Sequence, residues 1–336
     1  MASLARPRAA VVGLAGTAFG AEEIALFRDR PPAGLILFAR NVADPAQLRA
    51  LTAAARDLLG EDLPILIDQE GGRVARLRPP HWPAFPPAAD FAGLPEAAAR
   101  ANAALLGLTC RAVGLDVVCA PVLDLRLPGA HAVIGDRAFS ADPAEVARLG
   151  RAWIEGLHQA GCIPVVKHVP GHGRALVDSH LDLPHVAADR DALAEDCAPF
   201  AALAGTGAWA MTAHILYEAF DPRHPATLSH EVIGRVIRRA IGFEGVLVTD
   251  DLGMKALRGA PGALAQHAIA AGCDLALHCS GVLSETAEVL ADRPALSDAA
   301  AARMAEARAV AAAAHQPFLD AAVLAGLRDS HLAAAA

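Results

Sequence analysis

Residues 163–173 read Ile-Pro-Val-Val-Lys-His-Val-Pro-Gly-His-Gly, an apolar run that passes directly into a polar loop. The run 163–166 is uninterrupted and rich in Val and Ile, which is typical of a strand buried on both faces. Asp178, Ser179 and His180 follow, so an ammonium, three imidazoles and a carboxylate fall within fourteen residues. A solvated surface loop usually carries Lys, Glu and Ser. The density of histidines therefore predicts a reaction site just beyond a buried strand.

The same unit, an apolar run followed by an Ala-rich amphipathic stretch, recurs along the chain. Eight apolar runs occur, at 9–14, 34–38, 64–67, 117–121, 163–166, 208–212, 245–249 and 273–277. Helical patterns lie between them, among them 45–59, 97–113, 143–160 and 230–241. Eight strand–helix units predict an α/β fold, a single (β/α)8 TIM-type barrel, with irregularity expected in the early strands. A doubly wound open sheet is the weaker alternative.

The composition supports one large core. The chain has 336 residues, of which 54% are hydrophobic and 20% charged, so a packed domain is expected rather than a disordered chain. No Gly/Ser-rich linker separates two segments. We therefore predict one catalytic barrel domain over residues 1–336, with a helical C-terminal part from Ser284 and a loose tail near 333–336.

Charge and hydropathy narrow the choice of partners. The net charge is −8 and no basic run occurs, which argues against nucleic acid. No stretch approaches a membrane span, and the apolar segment after Arg6 and Arg8 is interrupted by Gly13 and Gly16, so a first strand is favoured over a signal peptide. The six cysteines lack CxxC spacing and are expected to be buried thiols in a reducing compartment.

The barrel interpretation can be tested on the polar residues, because barrel enzymes carry their chemistry at the carboxyl ends of the strands. Ionisable residues follow five of the eight runs, as Asp68, Asp124, Lys167-His168, His214 and Asp250-Asp251. The starts of the runs carry Gly, Pro or Ile instead. We therefore expect these side chains to converge on one rim.

Asp250 is the best candidate for a nucleophile, since two groups flanking one bond, a nucleophile and an acid, are the signature of glycoside hydrolysis. Successive strand residues face opposite sides, so only one of Asp250 and Asp251 enters the barrel mouth easily, and the other is expected to bind backbone. Spacing alone leaves open which of the two enters. His180 is the candidate acid/base, with Asp178 holding its imidazole in one tautomer.

The stretch 68–76, Asp-Gln-Glu-Gly-Gly-Arg-Val-Ala-Arg, is the second informative segment. A carboxylate at a strand end can accept sugar hydroxyl groups, and paired glycines allow a tight turn that brings an Arg close to a ligand. Asp68 and Arg76 are thus candidate substrate-binding residues, whereas Glu70 and Arg73 are expected to brace the turn. Arg137 is a further candidate on a weaker case.

These motifs resemble glycoside hydrolase family 3, specifically the single-domain bacterial β-N-acetylhexosaminidases of peptidoglycan recycling. The resemblance covers nearly the whole chain and includes 34–41, 68–76, 167–173, Asp178-Ser179-His180, 211–214 and 249–254. The KH-x-PGHG loop joined to DSH is its most specific part. The resemblance implies Asp250 as the nucleophile of a covalent glycosyl-enzyme, His180 as the acid/base with Asp178 as its partner, and a sugar held by Asp68, Arg76, Arg137, Lys167 and His168.

The resemblance also implies a retaining exo-β-N-acetylglucosaminidase. Its substrate would be N-acetylglucosamine β-linked to 1,6-anhydro-N-acetylmuramic acid, with or without peptide. A cytoplasmic monomer without metal or organic cofactor is expected, acting on a small saccharide and on neither nucleic acid nor membrane. The chain departs from the common pattern at four sites, Val169 for Phe, Arg174 for Asp, Ala75 for Gln and Gly253 for Ser. Arg174 is expected to alter the charge near His180.

Three alternatives remain at this stage. A phosphorylase acting on the same sugar is the nearest, since a His acid/base leaves room for an anionic phosphate where a second carboxylate would repel it. A metal-dependent barrel hydrolase would use His168, His172, Asp178 and His180 as ligands, but one loop would have to supply most of them. A catalytically dead sugar-binding protein would have no use for both a nucleophile and an acid/base pair.

Overall fold

A computed structural model describes residues 6–179, 181–291 and 294–335. Its strands are β1 Arg8–Gly13, β2 Pro32–Leu37, β3 Ile65–Ile67, β4 Val117–Val118, β5 Ile163–Val169, β6 His185–Val186, β7 Trp209–Thr212, β8 Leu216–Tyr217, β9 Leu247–Asp251 and β10 Leu275–His278. Eight of them form a closed barrel in the order β1-β10-β9-β7-β5-β4-β3-β2, and all neighbours pair in parallel. The predicted barrel is confirmed. Strands β6 and β8 form a separate parallel pair that the sequence did not predict.

The barrel closes where β1 pairs with β10, with Ala10 opposite Ala276. The register of β1 against β2 shifts between Arg8 and Val11, as expected for an irregular early strand. Shifts also occur between β9 and β10, and between β5 and β7 at Lys167–Val169. Strand β5 therefore continues past the predicted end at residue 166, and Lys167 and His168 lie in the strand itself.

The helices surround the barrel: α1 Ala21–Asp29, α2 Pro45–Leu59, α3 Glu96–Arg111, α4 Pro143–Gln159, α5 Arg190–Leu203, α6 Pro261–Ala271, α7 Leu283–Leu290, α8 Asp298–Ala314 and α9 Ala321–Ala335. Helices α2 and α4 begin where the sequence predicts, because an Asp side chain caps each one and a Pro occupies its first turn. The predicted helix at 230–241 is a π-helix, Val232–Ala240. Helix α9 reaches Ala335, within the segment near 333–336 that was predicted to be a loose tail, and Ala336 lies outside the described residues.

Two layers of apolar side chains fill the molecule. Successive residues of β1 contribute to different layers. Val11 packs inside the barrel, whereas Ala10 and Val12 pack against the helices. Met304 and Ala307 of α8 join the inner layer together with residues at the strand starts, so α8 covers the amino-terminal end of the barrel. The carboxyl end is left for the site.

The cysteines follow the prediction closely. All six are free thiols, and five are buried, while Cys197 is partly exposed. Among the helices of the described ranges, none is long and apolar enough to cross a membrane.

Candidate active site

A cavity of about 380 Å³ opens at the carboxyl end of the barrel. The predicted site residues that line it are Asp68, Arg76, Arg137, Lys167, His168, Asp178 and Asp250. They come from four barrel strands and the loops that follow. Of the side chains expected to converge on one rim, those of Asp68, Lys167, His168, Asp250 and Asp251 line the cavity, whereas Asp124 and His214 are fully buried and do not line it. His180, the predicted acid/base, lies outside the described residues.

Five charged side chains that line the cavity form what we call the polar wall: Asp68, Glu70, Arg76, Arg137 and Lys167. Lys167 lies at the centre of this wall. Its side chain is only 2% exposed, and Nζ lies 2.9 Å from Asp68 Oδ1 and 2.7 Å from Glu70 Oε1. Arg76 Nη2 donates to the other oxygen of Asp68 at 3.0 Å. Arg76 Nε is buried and has no hydrogen-bond partner among the described residues, which leaves a donor for a ligand.

Glu70 fixes the second cation of this wall. Arg137 donates to both Glu70 oxygens, Nε to Oε2 at 2.8 Å and Nη2 to Oε1 at 2.9 Å, in the fork geometry that suits a carboxylate. Arg137 was a candidate on a weaker case in the sequence. The contact explains its position: Glu70 holds it at the cavity wall.

These pairs control the charge of the wall. Burial alone would raise the pKa of Asp68, but Lys167 and Arg76 together hold it well below the ordinary value. For Glu70, too, burial is outweighed by Arg137 and Lys167, and its pKa is lowered. Burial would lower the pKa of Lys167, yet Asp68 and Glu70 raise it above its usual range. All three groups are therefore ionised at neutral pH and can form charge-assisted hydrogen bonds with a polar ligand.

The turn after Asp68 depends on its two glycines. Gly71 and Gly72 have φ of 101° and 53°, in the left-handed region, and a Cβ on Gly71 would lie 2.3 Å from the carbonyl oxygen of Pro86. Arg73 braces the turn as predicted, since its Nη2 donates to the carbonyl of Val133 at 2.6 Å and its Nε to Asp136 at 2.9 Å. This contact joins the 68–76 turn to the loop that carries Arg137.

Asp250 and Asp251 end β9 and divide as strand alternation predicts. Asp251 Oδ1 accepts the backbone N–H groups of Gly253 and Cys279, each at 3.0 Å. Asp250 Oδ1 accepts only the N–H of Asp251 within the described residues, while its Oδ2 lies 4.0 Å from His168 Nε2. Burial would raise the pKa of Asp250, but the charges of His168 and His214 lower it. An ionised carboxylate with an uncommitted oxygen is suited to nucleophilic attack.

His214 supports the end of this strand. It is fully buried, with Nε2 3.0 Å from the backbone oxygen of Asp251 and Nδ1 2.7 Å from Thr227 Oγ1. Because a carbonyl oxygen only accepts, Nε2 must carry the proton of this contact. The sequence identified His214 as a rim residue without a role.

The histidine-rich loop is anchored at several points. His172 Nε2 lies 3.2 Å from Ser179 Oγ, and the Ser179 carbonyl accepts the N–H of Ala256 at 3.2 Å. Ser179 thereby connects the loop to the segment after β9. At the loop root, Tyr217 of the small β6–β8 pair donates its hydroxyl to the Gly171 carbonyl at 2.7 Å. Asp178 reaches the cavity between these anchors.

Arg174 is directed towards helix α5. Its Nε donates to Asp196 at 2.7 Å, and its Nη2 donates to Glu195 and to the Ala192 carbonyl at 3.0 Å each. Two carboxylates therefore compensate the charge that the sequence led us to associate with His180. Gly171 packs on the same helix, since a Cβ there would lie 2.8 Å from Asp196 Cβ.

Phe38 is a residue that sequence reasoning missed. Its partly buried ring lines the cavity, with Arg40 at 5.0 Å and Arg76 at 5.2 Å from the ring centroid. Its position at the end of the second apolar run was the available signal. Within the ranges that the structure describes, no group of three or more His, Cys, Asp or Glu side chains is arranged to hold a metal ion.

Comparison with known proteins gives a consistent result. Residues 7–312 match the family model described as glycosyl hydrolase family 3 N terminal domain. A β-hexosaminidase of Alkalilimnicola ehrlichii is 43% identical over 281 residues, 80% of each chain, and one of Pseudomonas aeruginosa is 40% identical over 275 residues, 80% of this chain and 82% of that one. Native NagZ from Neisseria gonorrhoeae superimposes with a TM-score of 0.85 at 32% identity, covering 98% of both chains. The same enzyme in complex with N-trifluoroacetyl-D-glucosamine gives 0.83 at 32% identity, over 96% of this chain and 98% of that one.

Proposed function

The chain belongs to glycosyl hydrolase family 3, and from this membership we propose that it is a retaining exo-β-N-acetylglucosaminidase. The observation that carries the proposal is the cavity itself. Asp250 faces it with one uncommitted carboxylate oxygen, opposite a wall of buried, ionised hydrogen-bonding groups centred on Lys167. A nucleophile facing a polar cradle is what covalent glycoside hydrolysis requires.

In the first proposed step, Asp250 attacks the anomeric carbon and forms a glycosyl ester. The bond to the departing oxygen breaks, and His180 donates the proton that this oxygen takes up. Asp178 orients the imidazole. The lowered pKa of Asp250, in which the charges of His168 and His214 outweigh burial, supports its ionised state at this step.

In the second step, water replaces the enzyme at the anomeric carbon. His180, now neutral, removes a proton from the water as its oxygen bonds to the sugar, and Asp250 leaves as a carboxylate. Two displacements at one carbon retain the β configuration. No external acid, oxidant or reductant enters the balance.

Recognition of the sugar is assigned to Asp68, Arg76, Arg137, Lys167 and His168. Asp68 can accept further hydrogen bonds besides those from its two cations, and Arg76 Nε is an unused donor. Hydroxyl groups of a pyranose can therefore donate to Asp68 and accept from Arg76. The gonococcal complex with an N-acylated glucosamine supports the choice of an N-acetylglucosaminide.

The natural substrate and the cellular setting are finer proposals that rest on the family. We assign the substrate as N-acetylglucosamine on 1,6-anhydro-N-acetylmuramic acid, with or without its peptide, in peptidoglycan recycling. One catalytic domain acting as a cytoplasmic monomer, without metal or organic cofactor, completes the proposal.

The test is hydrolysis of a chromogenic β-N-acetylglucosaminide by the wild type, Asp250→Ala, Asp251→Ala and His180→Ala. We expect Asp250→Ala to abolish covalent turnover, and Asp251→Ala, the adjacent carboxylate, to retain part of it. Undiminished turnover in Asp250→Ala contradicts the nucleophile, and a preference for the matching β-glucoside contradicts the substrate class. Release of sugar 1-phosphate on addition of phosphate would identify a phosphorylase instead.

A further inference from the structure

Asp124 is a buried carboxylate in the active-site region that does not touch the cavity. It follows β4, is fully buried, and accepts three hydrogen bonds. Its Oδ1 accepts the backbone N–H groups of His168 at 3.1 Å and of His172 at 2.7 Å, and its Oδ2 lies 2.7 Å from His168 Nδ1.

These contacts determine the proton position on His168. Burial would raise the pKa of Asp124, but the charge of His168 and hydrogen bonds from His168 and His172 lower it, so the carboxylate is ionised and can only accept. His168 Nδ1 must then donate. The opposite nitrogen, Nε2, faces the cavity, 4.0 Å from Asp250 Oδ2.

We propose that Asp124 is a positioning residue for the reaction, which holds His168 in the Nδ1–H form with Nε2 directed at Asp250 and the bound sugar. The inference rests on the proposed function only for its catalytic consequence. The same carboxylate fixes the backbone of His172, so it also joins the sugar-binding strand to the root of the histidine-rich loop. Fixing ring orientation and tautomer through the far nitrogen is how outer carboxylates act on functional histidines.

Asp124→Asn tests the positioning of His168 separately from the packing of residue 124, because Asn has nearly the same size and shape as Asp. The amide oxygen must stay on the two backbone N–H groups, so the amide NH₂ faces His168 Nδ1. Nδ1 then has to accept, and the ring proton moves to Nε2.

Asp221→Asn is the matched control. Asp221 also accepts from a histidine, His224 Nδ1 at 3.1 Å, and from a backbone N–H, that of Arg223 at 2.9 Å. It lines a separate surface cavity. The control therefore measures the loss of a carboxylate–histidine–backbone cluster without a change at the site.

The first measurement is the ¹⁵N spectrum of histidine-labelled wild type, with His168 assigned by comparison with His168→Asn. We expect a protonated Nδ1, and a neutral Nε2–H ring in the wild type overturns the proposal without any variant having to fold. In Asp124→Asn we expect the reverse tautomer and a decrease of kcat/KM by about 10- to 100-fold, with none in Asp221→Asn.

A double-mutant cycle provides the second test. If Asp124 acts through His168, adding Asp124→Asn to the His168→Ala variant should lower kcat/KM only slightly further. An equal loss in both backgrounds indicates a merely structural carboxylate and overturns the proposal. Failure of the proposed function is distinct, since it would appear as a wild type that does not cleave β-N-acetylglucosaminides although its His168 carries the Nδ1 proton.

Discussion

Glu70→Gln tests the buried charge network most directly. The Glu70 side chain is 6% exposed and neutralises two cations, Arg137 through a two-bond contact and Lys167 at 2.7 Å. The substitution keeps the volume but replaces one acceptor oxygen by an NH₂ group, which then faces a guanidinium or an ammonium. Two buried cations thus lose their shared negative charge.

The expected loss of stability follows from burial. Breaking a buried ion pair costs about 3–5 kcal/mol, and the remaining amide oxygen restores about 1 kcal/mol as a neutral acceptor. We therefore expect the free energy of unfolding to decrease by about 2–4 kcal/mol. With a urea m-value of about 3 kcal/mol/M, the midpoint should decrease by about 1 M.

Urea unfolding and steady-state kinetics form the assay. Glu145→Gln is the control, because Glu145 pairs with Arg148 at 2.7 Å in a partly exposed position and still accepts the Gly93 N–H after substitution. A pair that water reaches contributes only about 0–1 kcal/mol. Glu70→Gln should also raise KM by about tenfold, since Lys167 and Arg137 are no longer fixed, while Glu145→Gln leaves KM unchanged.

One result refutes the reasoning. If the urea midpoint of Glu70→Gln decreases no more than that of Glu145→Gln, the two cations are not held by a desolvated carboxylate. The account of the polar wall would then have to be replaced by one in which water solvates both cations.

Three further predictions concern the loop and β9. Burial and the charge of His168 lower the pKa of His172 to about 4, so the unfolded chain takes up a proton at this residue near pH 6.5 and the folded protein does not. Stability should therefore decrease by about 3 kcal/mol as pH falls from 6.5 to 4, and urea unfolding of His172→Asn should show a correspondingly weaker dependence in that range. Arg174→Ala leaves Asp196 buried without its cation and should cost about 1–3 kcal/mol by thermal unfolding, with Arg174→Ala/Asp196→Ala more stable than the single variant. Asp251→Ala leaves two backbone N–H groups without their acceptor and should lose about 1–3 kcal/mol in urea unfolding while its Asp250-dependent turnover persists; a fully stable Asp251→Ala speaks against this contact.

Much of the barrel and its rim could be predicted because both depend on local patterns. Each buried parallel strand is a short apolar run, and the residue that ends it lies at the carboxyl rim whatever the rest of the chain does. Alternation along one strand likewise predicted that one of Asp250 and Asp251 binds backbone, but not which of the two. The assignment of His180 as acid/base remains a prediction.

What the sequence did not predict depends on contacts between distant residues. Strand β5 includes Lys167 and His168 because two carboxylates from elsewhere in the chain satisfy them, Asp68 after β3 and Asp124 after β4. A run of apolar letters cannot show this. The partners of Arg174 could not be predicted for the same reason, since Glu195 and Asp196 lie about twenty residues further along the chain. The π-helix Val232–Ala240 keeps an amphipathic pattern close to that of an α-helix, so periodicity did not distinguish the two.

The cavity lining is almost balanced in charge, although the whole chain carries −8. Among the described residues that line it, four cationic side chains face five carboxylates: Arg73, Arg76, Arg137 and Lys167 against Asp68, Glu70, Asp178, Asp250 and Asp251. Such a mouth projects little field into solution, so a neutral sugar reaches it without long-range electrostatic guidance. The second-order rate constant for a neutral substrate should therefore be insensitive to ionic strength, whereas an anionic peptide-bearing substrate meets the repulsion of the outer surface and should react faster as salt screens it.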